Sequence, residues 1–188
     1  VTLHGNVNPR ARSQFDQGPV DRSLRVSLVT IAFRPSLEQQ ADLQHLLDEQ
    51  QDRSSPNYHR WLTPEQYADR FGLAPADFAK IRTWLQSQGF TIGYVARGRN
   101  WISFSGTAEQ IAQAFHTELH HYRGDDDIHF ANANEPSIPA ELEPVVLGLL
   151  GLDDFVLTRP SRRAKKLSPK FTAPNGTHVL VPDDIAMI

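Results

Sequence analysis

The chain has 188 residues, no cysteine, 39% hydrophobic and 22% charged residues, and a formal net charge of −3. That balance is ordinary for a globular domain with a sizeable core. It excludes disulfides, thiolate catalysis and cysteine-ligated zinc, and it gives no chain-wide pull toward nucleic acid.

No run is long and apolar enough to cross a bilayer as a helix. Val1 is not a natural start and no signal peptide is visible, so trimmed termini are expected. The polar, turn-rich stretch Val1–Asp21, with Gly5, Pro9, Gly18 and Pro19, reads as a lead-in arm packed against the domain. Leu24–Phe33 reads as the first strand. Leu24, Val26 and Leu28 alternate on one face and Val29, Ile31 and Phe33 on the other, the pattern of a strand that is central or covered on both sides. Ser36 with Gln39 forms a capping box, and Leu43, Leu46 and Leu47 give the following helix an apolar stripe that fades at Asp52-Arg53-Ser54.

Ser54–Gly72 reads as a compact, aromatic-rich insertion. Tyr58, Trp61 and Leu62 supply apolar weight, and Thr63, Pro64 and Gln66 make a second capping box with a proline at the first helical position. Tyr67 and Phe71 are four apart on one face, and Gly72 stands where a C-terminal glycine would end the helix. From Pro75 another helix turns Phe78, Ile81, Trp84 and Leu85 inward and stops at Gly89. Phe90–Ala96 and Trp101–Ser105 form a hairpin around Arg97-Gly98-Arg99-Asn100. Thr107 with Gln110 makes a third capping box, with Ile111 and Phe115 facing the core. His116–Arg123 follows as a strand, with Ile128–Ala131 returning along it across the acidic turn Gly124–Asp127.

The succession of strand, helix, insertion, helix, hairpin, helix and strand predicts an α+β, ferredoxin-like antiparallel sheet of split β-α-β type, with helices on one face and a helical insertion. Leu28 or Ile31, and Ile92 or Val95, put apolar side chains on both faces, which favours a partner for the uncovered one. Ser137–Leu152 reads as a closing segment on the domain edge. Arg159–Pro169 carries five basic residues, two prolines and two serines, the composition of a mobile linker. Val179–Ile188 then turns apolar again.

Several blocks carry a family resemblance. Ser55–Gly72 ("SPNYHRWLTPEQYADRFG"), Arg82–Phe90 ("RTWLQSQGF"), Ile102–Leu119 ("ISFSGTAEQIAQAFHTEL"), Val145–Asp154 ("VVLGLLGLDD") and Leu3–Ala11 ("LHGNVNPRA") are similar, in order, to phrases of the activation pro-domain of sedolisin/kumamolisin-type serine-carboxyl peptidases. "VPDDIAMI" at Val181–Ile188 resembles the opening of the catalytic domain. The resemblance implies a pro-domain over residues 1–157 (arm 1–21, core 22–157), a processing linker over 158–176 and the start of a catalytic domain over 177–188. It also implies a secreted, acid-acting precursor whose pro-domain assists folding and holds the enzyme inactive until cleaved. The partner is then the cognate catalytic domain, with no nucleic acid or membrane, and the isolated chain is expected to be a monomer. Calcium is expected only in the catalytic domain.

Two patterns mimic an active site. Glu38 and Asp42 are spaced like the family's catalytic acids, and Ser105-Gly106-Thr107 echoes its Ser-Gly-Thr-Ser motif, but position 108 is alanine. Thr107 is accounted for as a cap and Glu38 as first-turn charge, so no catalytic residue is assigned. A self-contained hydrolase using these three residues, or a stand-alone interaction module, are the alternatives. His116, Glu118, His120, His121, His129 and Asp125-Asp126-Asp127 lie close in sequence, but adjacent His120 and His121 point to opposite sides of a strand and chelate poorly together. No metal ligand is assigned. A pH response through His116, Glu118, His120, Asp125, Asp126 and Asp127 is favoured instead. Arg162, Arg163, Lys165, Lys166 and Lys170 mark a processing linker, with cleavage expected within Ser161–Asn175, rather than a nucleic-acid or membrane patch.

Overall fold

The computed structural model describes residues 1–124 and 127–155, together with the backbone of two short strands, Phe171–Thr172 and His178–Val179. Val1–Phe155 is one compact unit and Val156–Ile188 a second. In the second unit Phe171–Thr172 pairs antiparallel with His178–Val179. The linker candidates Arg162, Arg163, Lys165, Lys166 and Lys170, and the turn residues Asp125 and Asp126, lie outside the described residues.

The first unit runs β1 (Asp16–Pro19), β2 (Arg25–Phe33), α1 (Leu37–Gln51), α2 (Pro64–Phe71), α3 (Pro75–Ser87), β3 (Thr91–Val95), β4 (Trp101–Thr107), α4 (Ala108–Phe115), β5 (Leu119–Arg123), β6 (Ile128–Asn132) and β7 (Val146–Leu150). All three expected capping boxes form, at Ser36/Gln39, Thr63/Gln66 and Thr107/Gln110, with side chain and backbone bonded in both directions. The result is an α+β fold with two antiparallel sheets, β3-β4-β2-β7 and β1-β5-β6. One face of the larger sheet forms the core. Val26, Val29, Ile31 and Phe33 of β2 and Ile102 and Phe104 of β4 meet Ile81 and Leu85 of α3 and Ile111 and Phe115 of α4. Phe104 lies 4.8 Å from Phe90 and 5.9 Å from Phe115, ring to ring, and Trp84 closes on Phe115 at 5.4 Å.

The first strand is central, but it is not apolar on both sides. Leu28 adopts φ 60°, and pairing with β4 shifts between Val26↔Gly106 and Val29↔Phe104. The extra residue is a β-bulge, and it turns Val26 to the same side as Val29, Ile31 and Phe33. Leu28 itself is 75% exposed. Period-2 counting through a bulge produces a false second apolar face.

The closing strand also differs from expectation. The larger sheet ends not on His116–Arg123 but on β7, from the segment read as an edge packing, with Ile31 opposite Leu149 and Phe33 opposite Val146. β5 and β6 form as a hairpin in the second sheet, where the arm supplies β1, with Asp16 opposite Tyr122. The arm is tied further by Asn132 Nδ2, which donates to Asn6 O at 2.9 Å.

The insertion docks on the β3–β4 turn. Arg99, at φ 49°, donates to Ala68 O (2.6 Å), Leu73 O (3.1 Å) and Asp69 Oδ1 (3.0 Å), closing the C-terminal end of α2. Gly72 is at φ −76°, so left-handed backbone is not what it supplies. A Cβ there would lie 2.5 Å from Gly98 O and 2.6 Å from Ala68 O, so the need is close approach of two backbones. Gly89, by contrast, ends α3 at φ +82° as expected. Tyr67 and Phe71 do share a face, 5.4 Å apart. Trp61 is exposed, as is Leu47 of the expected apolar stripe, and α1 buries only Leu46 and Gln50. Its charged flank is held to α2 by Arg70, whose Nε donates to Asp42 Oδ2 at 2.6 Å and whose Nη2 bonds the other oxygen.

Candidate functional site

With Ile31, Ile102 and Phe104 turned to the helices, strand alternation turns Thr30, Ala32, Trp101, Ser103 and Ser105 to the opposite side of the larger sheet. Leu150 stands opposite Thr30 and so joins them, 63% exposed. Gly93 and Tyr94 of β3 complete the surface. A Cβ on Gly93 would touch Ser103 Oγ at 3.0 Å, and the Tyr94 ring lies 5.3 Å from that of Trp101. Of the residues the sequence placed on the two sheet faces, Ile31 faces in, Leu28 is exposed, and Ile92 and Val95 pair with Phe104 and Ile102. None of these outward residues is acidic, basic or histidine. Ser103 is buried, and Thr30, Ala32, Trp101 and Ser105 are half-buried, so the face turned away from the helices is of mixed apolar and hydroxyl character and is most open at Leu150 on one side and Tyr94, beside Trp101, on the other.

The active-site look-alikes are each accounted for by their own surroundings. Asp42 is occupied by Arg70, and that guanidinium, more than any other group, lowers its carboxyl pKa. Glu38 is exposed in the first turn of α1. Ser105 sits on β4 with its side chain on the side away from the helices, and Ala108 is buried at the start of α4. No bond among the described residues joins any two of Glu38, Asp42 and Ser105.

The titratable cluster forms in part. His120 Nδ1 meets both Asp16 carboxylate oxygens, at 2.9 and 2.8 Å, and its Nε2 lies 3.4 Å from Glu118 Oε2. The Gly18 amide donates to Asp16 at 2.7 Å and is the main cause of a lowered Asp16 pKa, with His120 adding to it. Burial, then the Asp16 charge, pushes the Tyr122 phenol up. His116 goes elsewhere. It caps α4 in the left-handed region and its Nδ1 lies 3.1 Å from Ser137 Oγ. Asp127 closes the β5–β6 turn through its carbonyl, which accepts the Gly124 amide at 2.7 Å. His129 faces Asp154, 3.3 Å away. Asp16 and Asp154 were invisible as partners in the sequence, since only strand pairing brings Asp16 to a histidine 104 positions on. The one local signal was the Asp16-Gln17-Gly18 turn. No group of three or more His, Cys, Asp or Glu side chains among the described residues could hold a metal ion.

Residues 14–155 match the model of the pro-kumamolisin activation domain family. The chain belongs to that family. This activation domain is 28% identical over 164 residues to kumamolisin from Bacillus sp. (strain MN-32), covering 87% of the chain and 29% of that protein. It is 33% identical over 97 residues to xanthomonalisin from Xanthomonas sp. (strain T-22), covering 52% of the chain and 12% of that protein. With sedolisin from Pseudomonas sp. (strain 101) it shares 25% over 141 residues, 75% of the chain and 24% of that protein. The chain thus spans less than a third of the length of each of these relatives. No described helix is long and apolar enough to cross a membrane.

Proposed function

We propose that this activation domain is the chaperone and inhibitor of a secreted, acid-activated serine-carboxyl endopeptidase, and that it binds the peptidase through the open face of its larger sheet. The observation that carries the reading is that uncharged, partly apolar β-face on a chain of this family. Wide exposed apolar surface is uncommon on a protein with no partner. Release follows cleavage within Ser161–Asn175. Acid promotes it by protonating carboxylates, which lose charge near pH ~4, and histidines, which gain it below pH ~6.5. Glu118 and His120, joined by Asp16, are the proposed sensor at the seam between arm and second sheet. Calcium is proposed for the peptidase body and not for this chain, and no step here runs through it.

The test is inhibition of the mature peptidase by the separately produced chain across pH 7 to 3. Strong inhibition at neutral pH that weakens in acid supports the reading. Absence of inhibition at every pH, with a folded chain, refutes it. A hydrolase residing in the chain itself would instead cleave peptides alone and lose that activity in Ser105→Ala.

A further inference from the structure

A sheet ends in strands whose outer amides and carbonyls invite another chain, and proteins blunt such edges. Three of the four edges of the two sheets in residues 1–155 are blunted. On β7 the Leu149 amide donates to Asn6 Oδ1 at 2.7 Å. On β6 the Phe130 amide donates to Asp154 Oδ1 at 2.8 Å and its carbonyl accepts the Asp154 amide at 3.1 Å. β1 is four residues long and ends at Pro19, which has no amide.

β3 has none of these side-chain or proline blocks; its one irregularity is a bulge that sets Gly93 and Tyr94 together opposite Ser103. Its five residues, Thr91-Ile92-Gly93-Tyr94-Val95, include no charge and no proline, and it is the outer strand of the larger sheet. The Tyr94 amide donates inward to Ser103 Oγ at 2.8 Å and the Ala96 amide to Trp101 O at 3.2 Å. Val95, between them, therefore directs its own amide away from β4. Tyr94, 53% exposed, carries the edge into the aromatic side of the open face, while Val95, 36% exposed, stands on the helix side opposite Ile102.

We propose that the β3 edge is a strand-docking site, and that its occupant is an extended, uncharged segment on the surface of the peptidase body of the same precursor. The inference rests on the docking reading above and adds a second, main-chain mode of contact beside it. Two features choose this occupant. The edge is continuous with the proposed docking face, so one partner body covers both. The relatives also hold more than two thirds of their length outside the matched region, a body large enough to do so. A strand with no charged side chains opposes such a segment without electrostatic cost.

The experiment is hydrogen exchange on the 188-residue chain, alone and bound to the separately produced peptidase body, together with the affinity of Val95→Pro. Proline at an outward amide removes no internal bond but deletes one cross-strand donor. The expected result is protection of residues 91–95 on binding and about two- to tenfold weaker binding by Val95→Pro, the loss of one hydrogen bond. Protection of the open face with residues 91–95 unchanged overturns the edge proposal and leaves the docking reading standing. No binding at all removes both. Self-association of the chain that Val95→Pro abolishes assigns the edge to a second copy and also overturns it. Where Val95→Pro fails to fold, the exchange of the unmodified chain decides alone.

Discussion

Arg99→Ala tests how the helical insertion is held to the sheet. Its guanidinium donates to Ala68 O, Leu73 O and Asp69 Oδ1. The Asp69 side chain is 76% exposed, so that ion pair contributes little. The two carbonyl bonds carry the effect. Hydrogen bonds from a charged donor stabilise by roughly 1.5–3 kcal/mol each, and with Arg99 itself a quarter exposed the low end applies, giving about 3 kcal/mol in total for the two. Alanine relieves nothing of the left-handed backbone, whereas Arg99→Gly removes a strain of roughly 1 kcal/mol and is expected to destabilise by that much less. With a urea slope of about 2 kcal/mol per molar, the midpoint for Arg99→Ala falls by roughly 1.5 M. Hydrogen exchange of α2 should accelerate more than that of β4. A midpoint shift below about 0.2 M, or full rescue by Arg99→Lys, whose single ammonium cannot reproduce the fork, would refute the clamp.

Gly72→Ala should cost more than about 2 kcal/mol in urea unfolding despite an ordinary φ, because the new methyl meets two backbone oxygens inside contact distance; a neutral result would show that the turn moves freely. The lowered Asp16 pKa fixes a sign: its stabilisation is present above about pH 3.8 and is lost as pH falls through the lower folded-state value. Asp16→Asn should therefore flatten the acid limb of a stability–pH curve below pH ~4, and an unchanged limb would remove Asp16 from the account. Leu150→Asp, on the open face, should leave the unfolding midpoint within about 0.5 kcal/mol of the parent yet weaken peptidase inhibition at least tenfold. Equal inhibition would exclude the face as the contact.

Local chemistry was legible in the chain. Each capping box, the Arg97–Asn100 hairpin turn, the Gly89 stop and the Tyr67/Phe71 pair are set by residues within four positions of one another, and all formed. Long-range pairing was not. β7 and the β5–β6 hairpin have similar strand character, and nothing within Val146–Leu150 says that it will lie beside Ile31. Gly72 was recognised as necessary but for the wrong reason, since its constraint comes from Gly98 across the fold. An uncovered sheet face is legible in the sequence, while its membership is not, because one bulge moves Val26 to the side of Val29, Ile31 and Phe33 and leaves Leu28 exposed. The Asp16–His120 contact needs a strand from the arm, which the composition of Val1–Asp21 gave no reason to draw.

The bulge at Leu28 has a counterpart across the sheet. Gly151 sits at φ +82°, and a Cβ there would come within 2.8 Å of the Leu28 carbonyl. The two positions are mechanically interlocked. Deleting one residue from Ser27-Leu28 would put Val26 two positions from Val29, still facing the interior, and would remove the bulge whose carbonyl crowds Gly151; a side chain at Gly151 with the first strand unshortened would collide with its backbone. Across the lineage of this domain, a non-glycine residue directly after β7 is expected only in sequences that also shorten the first strand and take that position out of the positive-φ region.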